Sequence, residues 1–181
     1  MLTTPAAARK LDRWGFREAR GLRTWETSEL RHGETRLTLH AAPGRHAPGP
    51  AQRLLPPVMG SVLELRDGSA SPFRVYVTGD TLFRPWLGQI VERTGPIDAI
   101  VLHLGGTRVL GLLVTMDASQ GADLIELMRP SVAVPVHHDD YTVFRSPLSD
   151  FVDECGRRGL DGRIQTVGRG ETVSLRPFTP S

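Results

Sequence analysis

Apolar and polar positions along the chain fall into two regimes. The first thirty residues read as a helix over Pro5–Trp14, followed by an irregular or short-strand segment through Leu22 and Trp25. Thr35–Ala41 then alternates as a strand, and Gly60–Arg66 is a second, with Val62, Leu63 and Leu65 as its apolar residues. The proline- and glycine-rich stretch Ala42–Pro57 between them is a loop, and Asp67–Gly68 is a turn. Phe73–Thr78 is a third β-rich run, ending at Gly79–Asp80. From there strand and helix alternate. Trp86–Arg93 places Leu87, Ile90 and Val91 at helical spacing, and Ile97–Leu104 is a nearly continuous apolar run, as expected of a strand covered on both faces. Asp117–Arg129 is a helix, Ser131–Val136 another buried strand, and Pro147–Gly159 a further helix; short strands near Arg163–Val167 and Thr172–Leu175 close the chain. Antiparallel strands followed by βα alternation predict an α/β fold, a mixed sheet with helices outside it, in one domain spanning residues 1–181.

Composition narrows the function classes. With 39% hydrophobic and 23% charged residues the chain buries a core rather than staying disordered. The basic residues, all arginine except Lys10, number 22 against 20 acids, a scattered balance unlike the clustered charge of a nucleic-acid groove. The single Cys155 rules out an internal disulfide and a cysteine-based metal cluster. Residues 1–20 contain no apolar signal core, and stretches such as Val109–Met116 are too short to span a membrane. The cytoplasm is therefore the expected compartment.

The candidate chemistry lies where strands stop. Asp80, His103 and His137 each follow a predicted buried strand at its C-terminal end, the edge at which layered α/β folds bind ligands, and His46 lies in the loop after Thr35–Ala41. Imidazoles and a carboxylate converging on one rim suit zinc, manganese or iron.

Three segments, Thr38–Pro48 (TLHAAPGRHAP), Val75–Thr81 (VYVTGDT) and Val134–Phe144 (VPVHHDDYTVF), resemble the third, fourth and fifth metal-binding motifs of the metallo-β-lactamase superfamily. Within it they look like the branch that includes ascorbate-phosphate lactonase-like and N-acylphosphatidylethanolamine phospholipase D-like proteins. The resemblance implies the αββα fold of that superfamily. It implies His46 as ligand of a first metal, Asp80 as the carboxylate bridging two, and His137 as ligand of the second, with zinc or manganese as the ions and a metal-bound hydroxide as nucleophile. His103, Arg108 and Tyr141 would line the substrate pocket. His138, adjacent to His137, would point away from the metals on an extended chain.

The superfamily's His-x-His-x-Asp-His loop is absent, since the histidines stand at 32, 40, 46, 103, 137 and 138 and no two are separated by one residue. The opening MLTTPAAARKLDRWGF resembles the segment that follows that loop, which places Met1 inside the expected fold. The resulting expectation is a metal-dependent hydrolase of an ester, lactone or phosphodiester whose metal site is incomplete in this chain, so that metal binding is weak and hydrolysis impaired. A non-catalytic remnant or interaction module, associating as a homo-oligomer through exposed apolar sheet, is the alternative. A nuclease is a weaker one. Trp14, Trp25 and Trp86 read as packing residues, Asp117 as the start of a helix, and Cys155 as a helix thiol.

Overall fold

The computed structural model describes residues 1–68, 70–109, 111–138 and 146–175. Its strands and helices run β1 (Leu2–Thr3), α1 (Pro5–Arg13), β2 (Arg20–Gly21), β3 (Thr27–His32), β4 (Thr35–Pro43), β5 (Met59–Asp67), β6 (Phe73–Val77), α2 (Gln89–Thr94), β7 (Ala99–His103), β8 (Arg108–Val109), β9 (Leu112–Leu113), α3 (Ala118–Met128), β10 (Val132–Val136) and α4 (Leu148–Arg157). Short 3₁₀ turns occupy Gly49–Leu54, Pro85–Gly88 and Asp161–Arg163. Six strands form one sheet in the order β10-β7-β6-β5-β4-β3. β3 to β6 pair antiparallel, while β6, β7 and β10 are parallel, so the predicted mixed sheet is present.

Register explains which face each residue takes. His40, Val62, Tyr76, Ile100 and Ala133 are successive cross-strand partners and share one face. Against this row pack Leu87, Ile90, Leu124, Ile125, Met128, Phe151 and Cys155, which brings α2, α3 and α4 onto that side. On the other face Leu39, Leu63, Val75, Ala99 and Val132 form the matching row, and Leu37, Leu65 and Phe73 the next. Val167, Val173 and Leu175 cover its β6–β10 end, whereas Leu37, Leu39, Leu63 and Leu65 remain half-buried.

One strand left no reading in the sequence, and two readings are corrected. Thr27–His32 is a regular strand on the sheet edge, although Leu30 is its one large apolar residue and is exposed. Arg163–Val167 and Thr172–Leu175 are not strands; Ile164 makes a single bridge to Ala133, and the apolar residues beyond it dock on side chains without a hydrogen-bonded ladder. Trp14 is not a packing residue, because α1 ends one residue before it and leaves its ring 64% exposed beneath the Lys10 ammonium. Trp25 and Trp86 do pack against the main core.

Buried polar groups on the covered face make the fold sensitive to acid. The His40 Nε2 atom is buried and lacks a hydrogen-bond partner among the described residues. Burial holds the ring's pKa below the ordinary 6.5, the Glu64 carboxylate opposes the shift, and Arg74 adds to it. Burial alone would raise the Glu64 carboxyl, but hydrogen bonds from Arg66 and Arg74 outweigh it and hold the group below 4.5. For both residues the unfolded chain binds more protons than the folded one over these windows. Stability is thus expected to fall as pH drops below about 6.5 through His40, and again below about 4.5 through Glu64. Urea midpoints measured across this range check the first step, which His40→Gln should flatten; an unchanged slope in that variant would assign the step elsewhere.

Candidate metal centre

The site is built at the C-terminal ends of the three parallel strands. β10, β7 and β6 lie side by side, so His137 after β10, His103 at the end of β7 and Asp80 beyond β6 share one rim. The chain turns sharply to leave two of these strands. Gly79 has φ +61°, and a Cβ on it would stand 3.0 Å from the Met59 carbonyl oxygen, so glycine is required before Asp80. His137 itself has φ +60°, a left-handed conformation that costs a non-glycine residue energy and that collects at functional sites. The strand therefore stops being extended at His137, where an extended end was expected.

Asp80 Oδ1 lies 3.6 Å from His137 Nε2, and both side chains are partly open to solvent. That is too long for a hydrogen bond. It matches two donors of one tetrahedral ion, which at bond lengths near 2.0–2.2 Å stand about 3.5 Å apart. The His103 ring lies beside His137, with centroids 5.6 Å apart and planes tilted by 52°. Its backbone N–H donates to Thr78 Oγ1 at 3.0 Å, and the Thr78 hydroxyl donates to the Gly79 carbonyl, tying β7 to the turn that presents Asp80.

His46 reaches the same end of the sheet by a different route. The Arg45 N–H donates to Thr81 Oγ1, and the Leu82 N–H donates to the Arg45 carbonyl, each at 2.8 Å, so the His46 loop is stitched to the segment after Asp80. Gln52 Oε1 accepts from the backbone N–H of His46 and of Ala47. The His46 Nδ1 atom lies 2.7 Å from the Val114 carbonyl oxygen. A carbonyl only accepts, so Nδ1 is the donor, and in the neutral ring Nε2 then keeps its lone pair, the arrangement that orients a metal-ligating histidine.

The donor types suit a borderline divalent ion, yet the number gathered in one place falls short. Among the described residues, no three histidine, cysteine, aspartate or glutamate side chains come together closely enough to hold a metal. Asp80 and His137 form a pair, and His46 stands apart from it.

The remaining candidates divide. Arg108 is exposed on β8, donates to the Gly111 carbonyl at 3.3 Å, and lines a cleft of about 350 Å³ with Gly106, Asp117, Ser146 and Glu154. Asp80 lines a different cleft, of about 330 Å³, with Thr3, Thr4, Pro57, Met59 and Ser61. Tyr141, with Asp139 and Asp140, lies outside the described residues. Asp117 caps α3, accepting from the Gln120 N–H at 3.1 Å, and Cys155 is buried on α4 with its thiol pushed up to about 11 by burial. Thr78, Thr81 and Gln52 escaped the sequence reading. The threonines flank Gly79–Asp80 in TGDT, which is the one signal that could have found them.

Among the described residues, no helix is long and apolar enough to cross a membrane. Residues 1–138 match the family described as Beta-lactamase superfamily domain. A metal-dependent hydrolase of Korarchaeum cryptofilum is 32% identical over 117 residues, which is 65% of this chain and 47% of that protein. One from Carboxydothermus hydrogenoformans is 29% identical over 102 residues, 56% and 41% of the two lengths. This chain thus spans less than half the length of these curated relatives. The crystal structure of isothiocyanate hydrolase from Delia radicum gut bacteria aligns with a TM-score of 0.76 at 19% identity, over 96% of this chain and 68% of that one, a likeness of fold. The family match runs from β1 through β10 and takes in all three rim residues and His46, and on that ground the chain belongs to the beta-lactamase superfamily.

Proposed function

We propose that this chain carries part of the metal centre of a metal-dependent hydrolase, with Asp80, His137 and His46 as its ligands and zinc or manganese as the ion. The observation that carries the reading is the 3.6 Å approach of Asp80 Oδ1 to His137 Nε2 on the rim. The Val114 carbonyl, which leaves the His46 Nε2 lone pair available, supports it. The metal-dependent hydrolases among the relatives support the same class. By resemblance to the lactonase-like and phospholipase-like branch, the substrate is an ester, lactone or phosphodiester.

The residues present do not make a complete cage, because three protein ligands suffice for a catalytic zinc only when they meet at one ion. No hydrolytic step is therefore assigned to them. Metal binding by this chain is expected to be weak and substoichiometric, with negligible hydrolysis of generic lactone and phosphodiester substrates whether or not zinc or manganese is added. Elemental analysis after dialysis checks this, and Asp80→Ala or His137→Ala should abolish whatever binding remains while His32→Ala leaves it. About two tightly held ions per chain would overturn the incomplete-site reading.

The half-buried row of Leu37, Leu39, Leu63 and Leu65 favours a second reading, a non-catalytic module that associates with itself. Sedimentation at rising concentration separates the two, since a dispersed monomer throughout would remove the support for association.

A further inference from the structure

The balanced charge of the whole chain hides one lopsided segment. In residues 9–23, Arg9, Lys10, Arg13, Arg17, Arg20 and Arg23 stand against Asp12 and Glu18, a net +4; the chain as a whole is +2, so everything outside this segment sums to −2. All six cations are exposed. Two large apolar side chains are interleaved with them, Trp14 at 64% and Phe16 at 56% exposure.

Six arginines outside this segment are occupied by carboxylates. Arg66 and Arg74 pair with Glu64, Arg157 and Arg158 with Glu154, and Arg31 and Arg36 with Glu29. None of the five arginines between 9 and 23 has such a partner among the described residues. The segment is also held firmly. Thr4 caps α1 by accepting from the Ala7 N–H, Ala8 is buried, and Pro5 and Ala8 lie against Gly21 so closely that a Cβ there would stand 2.6 Å from the Pro5 Cα. The Phe16 N–H donates to the Leu11 carbonyl, which fixes the turn carrying both exposed rings. The outward display of cations and rings is thus a property of the folded segment and not of a loose end.

We infer that α1 and the turn after it form a peripheral docking surface for an anionic lipid bilayer. Cations attract acidic headgroups while Trp14 and Phe16 enter the interfacial layer, the division of labour seen in surface-lying basic segments. The alternative anionic partner, single-stranded RNA, binds by stacking bases on open aromatic faces. Here the Lys10 ammonium lies over the Trp14 ring at 4.8 Å, which occupies a face that a base would need and leaves an amphipathic pair suited to a membrane interface.

The test is co-sedimentation of the whole chain with vesicles of phosphatidylcholine alone or mixed with phosphatidylglycerol. Binding is expected only to the anionic vesicles and should weaken as salt rises. Arg13→Glu with Arg17→Glu should reduce it at least about thirtyfold, and Trp14→Ser with Phe16→Ser should weaken it at every salt concentration. Arg31→Glu with Arg36→Glu makes the same change in net charge on the β3–β4 hairpin, outside the segment, and should leave most of the binding. Equal loss in that control would reduce the effect to overall charge and overturn the proposal. So would failure to bind anionic vesicles, or binding of oligouridylate that competes with vesicles and survives the loss of both rings. Circular dichroism on each variant confirms that the fold is kept.

Discussion

Phe151→Ala is expected to remove about 3–5 kcal/mol of folding stability, a large share of the total available to a domain of this size. Phe151 is fully buried on α4. Its ring reaches across to α3, where a Cβ on Gly121 would stand 2.9 Å from Phe151 Cε2 and the same distance from Leu104 Cδ2. One aromatic ring thus joins α4, α3 and the end of β7, and truncating it leaves a cavity among elements that cannot collapse independently. The same geometry predicts a reversal of sign. In the native chain Gly121→Ala crowds both neighbours, which offsets the roughly 1 kcal/mol that alanine gains over glycine inside a helix. With Phe151 already alanine its contact is gone and the end of the flexible Leu104 side chain can shift into the space left, so Gly121→Ala should become stabilising. Chemical denaturation of the four species in a double-mutant cycle measures the coupling; additive effects would show that the two residues do not share this contact.

Glu64→Ala should cost about 3 kcal/mol, because it leaves a charge with no partner in a place water barely reaches. The Glu64 carboxylate accepts from Arg74 Nε and Arg66 Nε, both at 2.7 Å. The two bonds are unequal. Arg66 is 43% exposed and returns to solvent at little cost, whereas Arg74 is 14% exposed and packs its guanidinium beneath Gly95. Removing both members of the buried pair should cost far less than removing one, so Glu64→Leu with Arg74→Met is expected to be more stable than Glu64→Ala alone. Urea midpoints provide the comparison. A loss of under about 1 kcal/mol for the single substitution would show that the pair behaves as a surface one.

The parts of the fold that could be read in the sequence are those whose burial leaves a simple pattern. Ile97–Leu104 and Ser131–Val136 are continuous apolar runs because β7 and β10 are covered on both faces, and the polar residues that end them mark the rim. β3 left no such mark. As an edge strand it is stabilised by pairing with β4, and Thr27–His32 shows an almost entirely polar face to solvent. The closing segments misled in the opposite way, since Val167, Val173 and Leu175 are apolar for docking and not for pairing. On the rim, the positions of Asp80 and His137 were legible from where their strands end. The supports of His46 were not, because the carbonyl that sets its tautomer comes from Val114 and the hydroxyl that anchors its loop from Thr81. Such contacts depend on how the chain closes in space and leave no local periodicity.

The sheet order has a consequence for how the molecule assembles. β3 joins β4 and β5 joins β6 through short hairpin connections that lose little chain entropy on closing, and β4 meets β5 across the loop 44–58, whereas β7 and β10 are reached only by longer crossovers that contain α2 and α3. The antiparallel half can therefore form early and locally, while the rim that brings Asp80, His103 and His137 together awaits the slower, longer-range half. In pulsed hydrogen exchange, amides of β4 and β5 should gain protection ahead of those in β10. Nascent chains would then pass through a stage that has a sheet but no site.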